Sequence, residues 1–268
     1  MSLTTVRRAG LAAAVAALAL VVSACGSESG DKAGDGAATA QADKTASASP
    51  AAAAPAKALS AAELEKAALA QADVKSGKVF TKVPLQDDIA QAKVKTDKAE
   101  CAALGRLQAG TYEAQPAASV KRSWLGDLKK PAAGASPEEA LVAGIDRTKV
   151  IVTLATYADG GAEKAFAALK AASTACAGGF AYTVGSDTTK FSKVTVTDAP
   201  QGADEALALT LTMDADGTQA PWKSVVVRKG ATIASFPSVN MATAATGKEY
   251  AFPAELVQAQ LAKLAKLG

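Results

Sequence analysis

Three cysteines, two aspartate motifs and one glycine pair are the positions in this 268-residue chain whose types and spacing suggest chemistry. Histidine is absent altogether, which excludes Ser-His-Asp and Cys-His nucleophiles, His-ligated zinc and haem held by histidine. Asp214-x-Asp216-Gly217 has the start of a calcium loop, but the further acidic ligands and the closing glutamate are missing, so a hairpin turn accounts for it. Asp87-Asp88 offers two carboxylates for acid-base work. Adjacent residues point apart on most backbones, and no second carboxylate cluster converges on them, so the pair reads as a solvated loop. Gly160-Gly161 stands between a strand and a helix, a shape that can cradle phosphate, yet no Lys-Ser signature follows and a turn is the simpler reading. Trp124 and Trp222 have faces on which a sugar or lipid stacks, and they serve equally to fill a core or its edge. Ser-Lys catalysis needs no histidine, but its partner motifs are not found in a suitable context. No catalytic residue, metal ligand, cofactor or ligand-binding residue is assigned on this basis, and the expectation is a protein that is not an enzyme.

With 49% hydrophobic residues the chain can build a globular core, and a formal charge of +3 is too small to suggest a nucleic-acid partner held by bulk charge. Its first two dozen residues are of another kind. Arg7 and Arg8 precede an uncharged apolar run, Leu11 to Val22, that is short for a membrane span and reads as the core of a signal peptide over 1–24. The run ends in Val22-Ser23-Ala24-Cys25, which resembles the lipobox of bacterial lipoproteins. That resemblance implies that Cys25 is lipidated on sulfur, becomes the new N-terminus and attaches the chain to a membrane. At about 0.8 kcal/mol per buried methylene, two or three acyl chains hold a protein durably where one does not. An ordinary signal peptide or an uncleaved anchor, with Cys25 incidental, is the alternative. Paired arginines without the twin-arginine flanking pattern leave the export route open. Cleavage would remove two bases and no acid, leaving a nearly neutral chain of 27 basic and 26 acidic groups.

Residues 25–57 form the expected tether. From Gly26 to Lys57 it holds Ala, Gly, Ser, Thr and Pro with scattered charges and no large apolar residue, so it cannot bury a core. As a flexible coil it spans roughly 30 Å at 5–6 Å per square root of residue number. A folded region over 58–268 follows. Ser60 and Glu63 make a capping box flanked by Leu59 and Leu64, which predicts a helix over 61–72. Further helices are predicted at 99–107, after Ser136-Pro137-Glu138-Glu139, at 162–176, and after Pro253 with Val257, Leu261 and Leu264 inward. Strands are predicted near 118–125, at 150–157, 179–184 and 190–197, and in a meander over 205–213, 223–228 and 231–239. Strict alternation of Leu207, Leu209, Leu211 and Met213 with Ala206, Ala208, Thr210 and Thr212 implies one buried face and one milder one. The class is α+β: an antiparallel β-sheet covered on one face by helices, behind a signal peptide and a disordered tether.

If Cys25 carries lipid, Cys101 and Cys176 remain as an even pair in an oxidising compartment. A bridge between them closes a loop of about 76 residues and would contribute roughly 4 kcal/mol in the chain-entropy model; two free buried thiols are the alternative, and no Cys-x-x-Cys spacing marks a redox pair. The Leu59-Ser60-x-x-Glu63-Leu64 helix, Cys101 with Leu104, the strand-turn-helix from Val150 to Cys176 and the strands about Lys229-Gly230, behind a lipobox and an Ala/Ser tether, resemble a family. It is that of actinobacterial lipoproteins carrying an extracellular sensor-like domain similar to that of the mycobacterial receptor kinase PknH. The resemblance implies a noncatalytic module that binds a small-molecule, lipid or protein ligand between its helical layer and its sheet. A lipid carrier with an apolar cavity there, or a passive envelope protein, are the other readings. Metabolic labelling with a palmitate analogue should mark the wild-type chain and vanish in Cys25→Ala; label retained in that variant contradicts lipidation at Cys25.

Overall fold

Valine, isoleucine and leucine alternate along the middle strands of the molecule, and both faces of those strands are buried. The computed structural model describes residues 56–215 and 217–267; the signal segment 1–24, Cys25, the tether as far as residue 55 and Asp216 lie outside the described residues. Among those described, nine strands form one antiparallel sheet: β1 (Lys78–Phe80), β2 (Val94–Thr96), β3 (Ala118–Leu125), β4 (Thr148–Thr156), β5 (Phe180–Val184), β6 (Asp187–Thr197), β7 (Glu205–Ala215), β8 (Thr218–Lys229) and β9 (Thr232–Asn240). Their spatial order is β1-β3-β4-β9-β8-β7-β6-β5-β2. From β7 to β9 the chain is the meander that its turn residues predict, β5 and β6 extend it, and at the β7–β8 turn Asp214 Oδ1 accepts the Gly217 N–H at 3.2 Å. That carboxylate serves a hairpin, as its sequence context implies.

Six helices accompany the sheet among the described residues: α1 (Ala61–Ala67), α2 (Ala102–Gln108), α3 (Pro137–Ile145), α4 (Gly161–Ala175), α5 (Thr243–Thr246) and α6 (Ala254–Leu264). The α+β class and the antiparallel sheet stand as expected. On one face α2 and α4 lay Leu104, Leu107, Phe166 and Leu169 over Leu207, Leu211, Val226 and Ile233. A second layer, which the reading of a single covered face did not include, lies opposite: α1 and α6 set Leu64, Leu256, Val257 and Leu261 over Val150, Val152, Val227 and Phe236. The reason is visible in β7. Its milder face carries Ala206 and Ala208, small but apolar, and with Val225 and Val227 of the next strand it makes a floor that an amphipathic helix can cover. No helix among the described residues is long and apolar enough to cross a membrane.

Both capping boxes form. Ser60 N–H donates to Glu63 Oε2 at 2.8 Å, and Ser136 N–H to Glu139 Oε2 at 2.8 Å. The first helix is shorter than its sequence suggests because side chains from elsewhere take the carbonyls where it ends. Gln260 Nε2 donates to Ala67 O at 2.7 Å, and Arg122 Nε to Leu69 O at 3.3 Å.

Cys101 and Cys176 are bonded, with Cα atoms 5.9 Å apart, and both are fully buried. The bond joins the start of α2 to the end of α4, so it staples two helices of one layer. Beside it Lys98 Nζ donates to Gly179 O at 2.7 Å, and Ala181 N–H to Asp97 Oδ1 at 2.9 Å. Gly179 is required there: its φ is +87°, and a Cβ would stand 2.2 Å from Phe191 O.

The sheet is not flat. Strands β4 and β5 are five spacings apart, roughly 24 Å across a flat sheet at about 4.8 Å per strand. Yet Ile151 of β4 and Tyr182 of β5 line a single cavity of about 160 Å³. The sheet therefore coils about α2 and α4. Removing the staple in Cys101→Ser/Cys176→Ser should lower stability in urea by about 3–4 kcal/mol; a loss under about 1 kcal/mol would show that packing alone holds the two helices.

Candidate ligand-binding site

Strands β1 and β2 are consecutive in sequence but occupy opposite edges of the sheet, so residues 81–93 must cross its inner face. This strap begins with a turn in which the Asp87 and Asp88 N–H groups donate to Pro84 O at 2.8 and 3.0 Å. Two lysines from neighbouring strands then fix it. Lys149 of β4 pairs with Asp87 Oδ1 at 2.5 Å, while Lys121 of β3 reaches Asp88 Oδ1 at 3.1 Å and Ile89 O at 2.7 Å. Gln91 Nε2 closes the far end by donating to Ala114 O at 2.8 Å. The adjacent carboxylates do point apart, as expected. Only Asp88 is the solvated residue the sequence implied; the Asp87 side chain is 15% exposed, because the strap presses it against β4.

Beneath the strap lies the cavity of about 160 Å³, bounded by Asp87, Ile89, Gln108, Lys149, Ile151, Tyr182, Trp222 and Ser238. Its aromatic wall is held from behind by Phe191, whose ring centre is 5.5 Å from that of Trp222, edge-on, and 6.1 Å from that of Tyr182. Gln108 and Ser224 exchange hydrogen bonds at 3.0 and 3.2 Å and so satisfy each other. Burial raises the Tyr182 phenol above its ordinary range, which keeps this wall uncharged.

Four buried side-chain atoms have no hydrogen-bond partner among the described residues, and two of them, Asp87 Oδ2 and Trp222 Nε1, belong to residues of this one cavity. An unmatched buried donor or acceptor costs about 1–3 kcal/mol. Both atoms are sealed from water by neighbouring protein atoms, so neither opens into the cavity. The remaining two are Gln260 Oε1, whose amide nitrogen is bonded, and Thr111 Oγ1, beside a space of about 20 Å³ that fits a single water. On the opposite face of the sheet a groove of about 380 Å³ runs between the start of α6 and strands β7 and β8, lined by Val225, Phe252 and Val257. Two wider open hollows, of about 690 and 680 Å³, lie beside Thr81 and Lys121 and beside Gly230 and Leu264.

The other sequence candidates fall outside the cavity. Trp124 is a core residue whose Nε1 donates to Ser76 O at 3.0 Å. Gly160, at φ +72°, turns the chain into α4, whose first turn holds Glu163 against Arg228 at 3.2 Å. Arg228 also holds Glu205 at 2.6 Å; burial alone would raise that carboxyl, but hydrogen bonds from Arg228 and Lys170 hold it below its usual range. Asp87, Lys149 and Trp222, which line the cavity, are separated by scores of residues; Asp87 and Trp222 stand out in the sequence as a carboxylate pair and a stacking face, whereas Lys149 carries no local signal.

No family model matches the chain, and no curated protein matches it. Among solved structures it is similar to the extracellular domain of PknH from Mycobacterium tuberculosis, with 13% identity, a TM-score of 0.41, and 79% of this chain and 97% of that one covered. A likeness of that size assigns neither a function nor a site.

The opposite face of the sheet reports on pH. Ser238 shares a hydrogen bond with Tyr250 Oη at 2.9 Å, and burial pushes that phenol up to about 12. A raised pKa in the folded chain gives stability that is whole below the unfolded value near 10 and is lost as pH rises toward 12. Urea unfolding should therefore show a steady loss between pH 10 and 12 that is smaller in Tyr250→Phe; an equal loss in both proteins would place the titration elsewhere.

Proposed function

We propose that this chain is a lipid-anchored extracytoplasmic protein whose folded region binds a small ligand without transforming it. The observation that carries this reading is the cavity under the strap, walled by Tyr182, Trp222 and the Asp87–Lys149 pair. The buried disulfide supports an oxidising compartment outside the cytoplasm. Cys25 in its lipobox-like setting supports attachment to the outer face of the membrane, with 25–57 as the tether.

A second reading, carriage of an acyl chain, draws support from the apolar groove beside α6. That groove is lined by Val225, Phe252 and Val257, apolar side chains that suit an acyl chain. Native mass spectrometry of the full chain, purified from membranes in detergent, separates the two. A small-molecule adduct that is lost in Trp222→Ala is the expected result. A lipid adduct retained in that variant supports the carrier, and no adduct of either kind leaves a passive envelope protein acting through protein contacts.

A further inference from the structure

We propose that the outer edge of β3 is a docking site for an extended segment of another protein, which pairs with Ser119 and Lys121 as an added strand. The site is separate from the cavity under the strap. Strand β3 runs from Ala118 to Leu125, but β1 covers its outer edge only from Ser123 to Leu125. Among the described residues, 118–122 pair with β4 on one side and with no strand on the other. Alternate residues of an antiparallel strand turn their N–H and C=O groups to opposite sides. The Gly126 N–H donates to Thr148 O at 2.8 Å, which sets the phase: even-numbered residues bond to β4, while Ser119, Lys121, Ser123 and Leu125 face outward. Ser123 and Leu125 meet Phe80 and Lys78 there. The Ser119 N–H and C=O and the Lys121 N–H have no hydrogen-bond partner on that side among the described residues, and Ser119 is exposed. Lys121 O accepts from Arg122 Nη1 at 3.0 Å, which blunts the end nearest β1.

The open hollow of about 690 Å³ runs along this edge, lined by Ser119 to Arg122 and by Thr81 to Val83, which make no backbone hydrogen bond to β3. Outward groups on every second residue recur at about 6.6 Å, a repeat that another extended backbone matches. Charge narrows the partner. Five charged side chains line the hollow, and four are paired: Arg122 with Glu65 at 2.5 Å and Lys121 with Asp88 at 3.1 Å. Lys82 is exposed and has no ion-pair partner among the described residues, so an acidic side chain on the incoming strand complements it. Val83, Ile89, Tyr112 and Val120 are half-buried on the walls and receive apolar side chains beside that acid. The tether holds no large apolar residue to offer them, and a second copy brings the same uncompensated Lys82.

The probe is acetyl-Val-Thr-Val-Glu-Val-Thr-amide, with one copy methylated on every backbone nitrogen and another carrying Lys in place of Glu. Amide hydrogen exchange of the full chain, resolved by NMR, is the readout. In the free chain the Ser119 and Lys121 amides should exchange about tenfold faster than those of Val120 and Arg122, and the probe should slow both by about tenfold. The methylated copy should protect neither, and the lysine copy should bind about threefold more weakly. Ser119→Pro removes an N–H that the β4 ladder does not use and should abolish the protection of Lys121. Lys82→Glu, on the exposed strap, should reverse the preference between the glutamate and lysine peptides, and it keeps the test sharp if the proline variant fails to fold. Ser119 and Lys121 amides already protected in the free chain overturn the proposal: protection independent of concentration gives the edge to the tether, and protection that grows with concentration gives it to a second copy. Equal protection by the methylated copy, or none by any of the three peptides, overturns strand pairing at this edge.

Discussion

The coiling of the sheet is the constraint on which the rest of this molecule depends. A flat array would hold β4 and β5 roughly 24 Å apart, and the residues that meet in the cavity would never touch. Coiling requires something to coil around, and that is the layer of α2 and α4, joined by the Cys101–Cys176 bond and filled by Phe166, Leu104 and Leu169. Gly105 permits the closest part of this approach: a Cβ at its position would lie 2.5 Å from Thr96 Cγ2 and 3.3 Å from Tyr182 Cβ, so α2 can lie directly against β2 and β5. The disulfide, the glycine and the edge strands are parts of one device that draws the far end of the meander toward β4.

The strap follows from the same topology. Placing β1 and β2 on opposite edges commits the chain between them to a crossing, and Lys121 and Lys149 determine where it crosses. Half-buried ion pairs of this kind contribute little net stability, because desolvation offsets much of their attraction. Their consequence here is positional. Asp87 Oδ1 is committed to Lys149, so this side chain latches the strap over the cavity.

Much of the fold was legible in the sequence because it is written in local patterns. The alternation in 205–213, the turn residues at 214–217 and 229–230, and the two Ser-x-x-Glu boxes each act over a few residues, and each element formed near its expected place. The pairing of Cys101 with Cys176 could be read by counting. Strands β1 and β2 could not, since three residues give too short a pattern, and their stability comes from partners in β3 and β5. The second helical layer was hidden in Ala206 and Ala208, whose small side chains read as a mild face until α6 is seen lying on it. Least legible was the cavity. Asp87 and Lys149 are 62 residues apart and Trp222 is distant from both, and nothing in the Asp87-Asp88 dipeptide distinguishes the buried carboxylate from the exposed one. Only the crossing of the strap separates their roles.

The most direct test of the account reads the two tryptophans against each other. With only two indoles in the sequence, the indole region of a nitrogen-proton correlation spectrum separates Trp124, whose N–H is bonded to Ser76 O, from Trp222, whose N–H lacks a partner among the described residues. Adding the low-molecular-weight fraction of a cell-envelope extract should shift the Trp222 resonance alone and slow its exchange with solvent. Two unmoved signals, or equal movement of both, would contradict a ligand site beneath the strap.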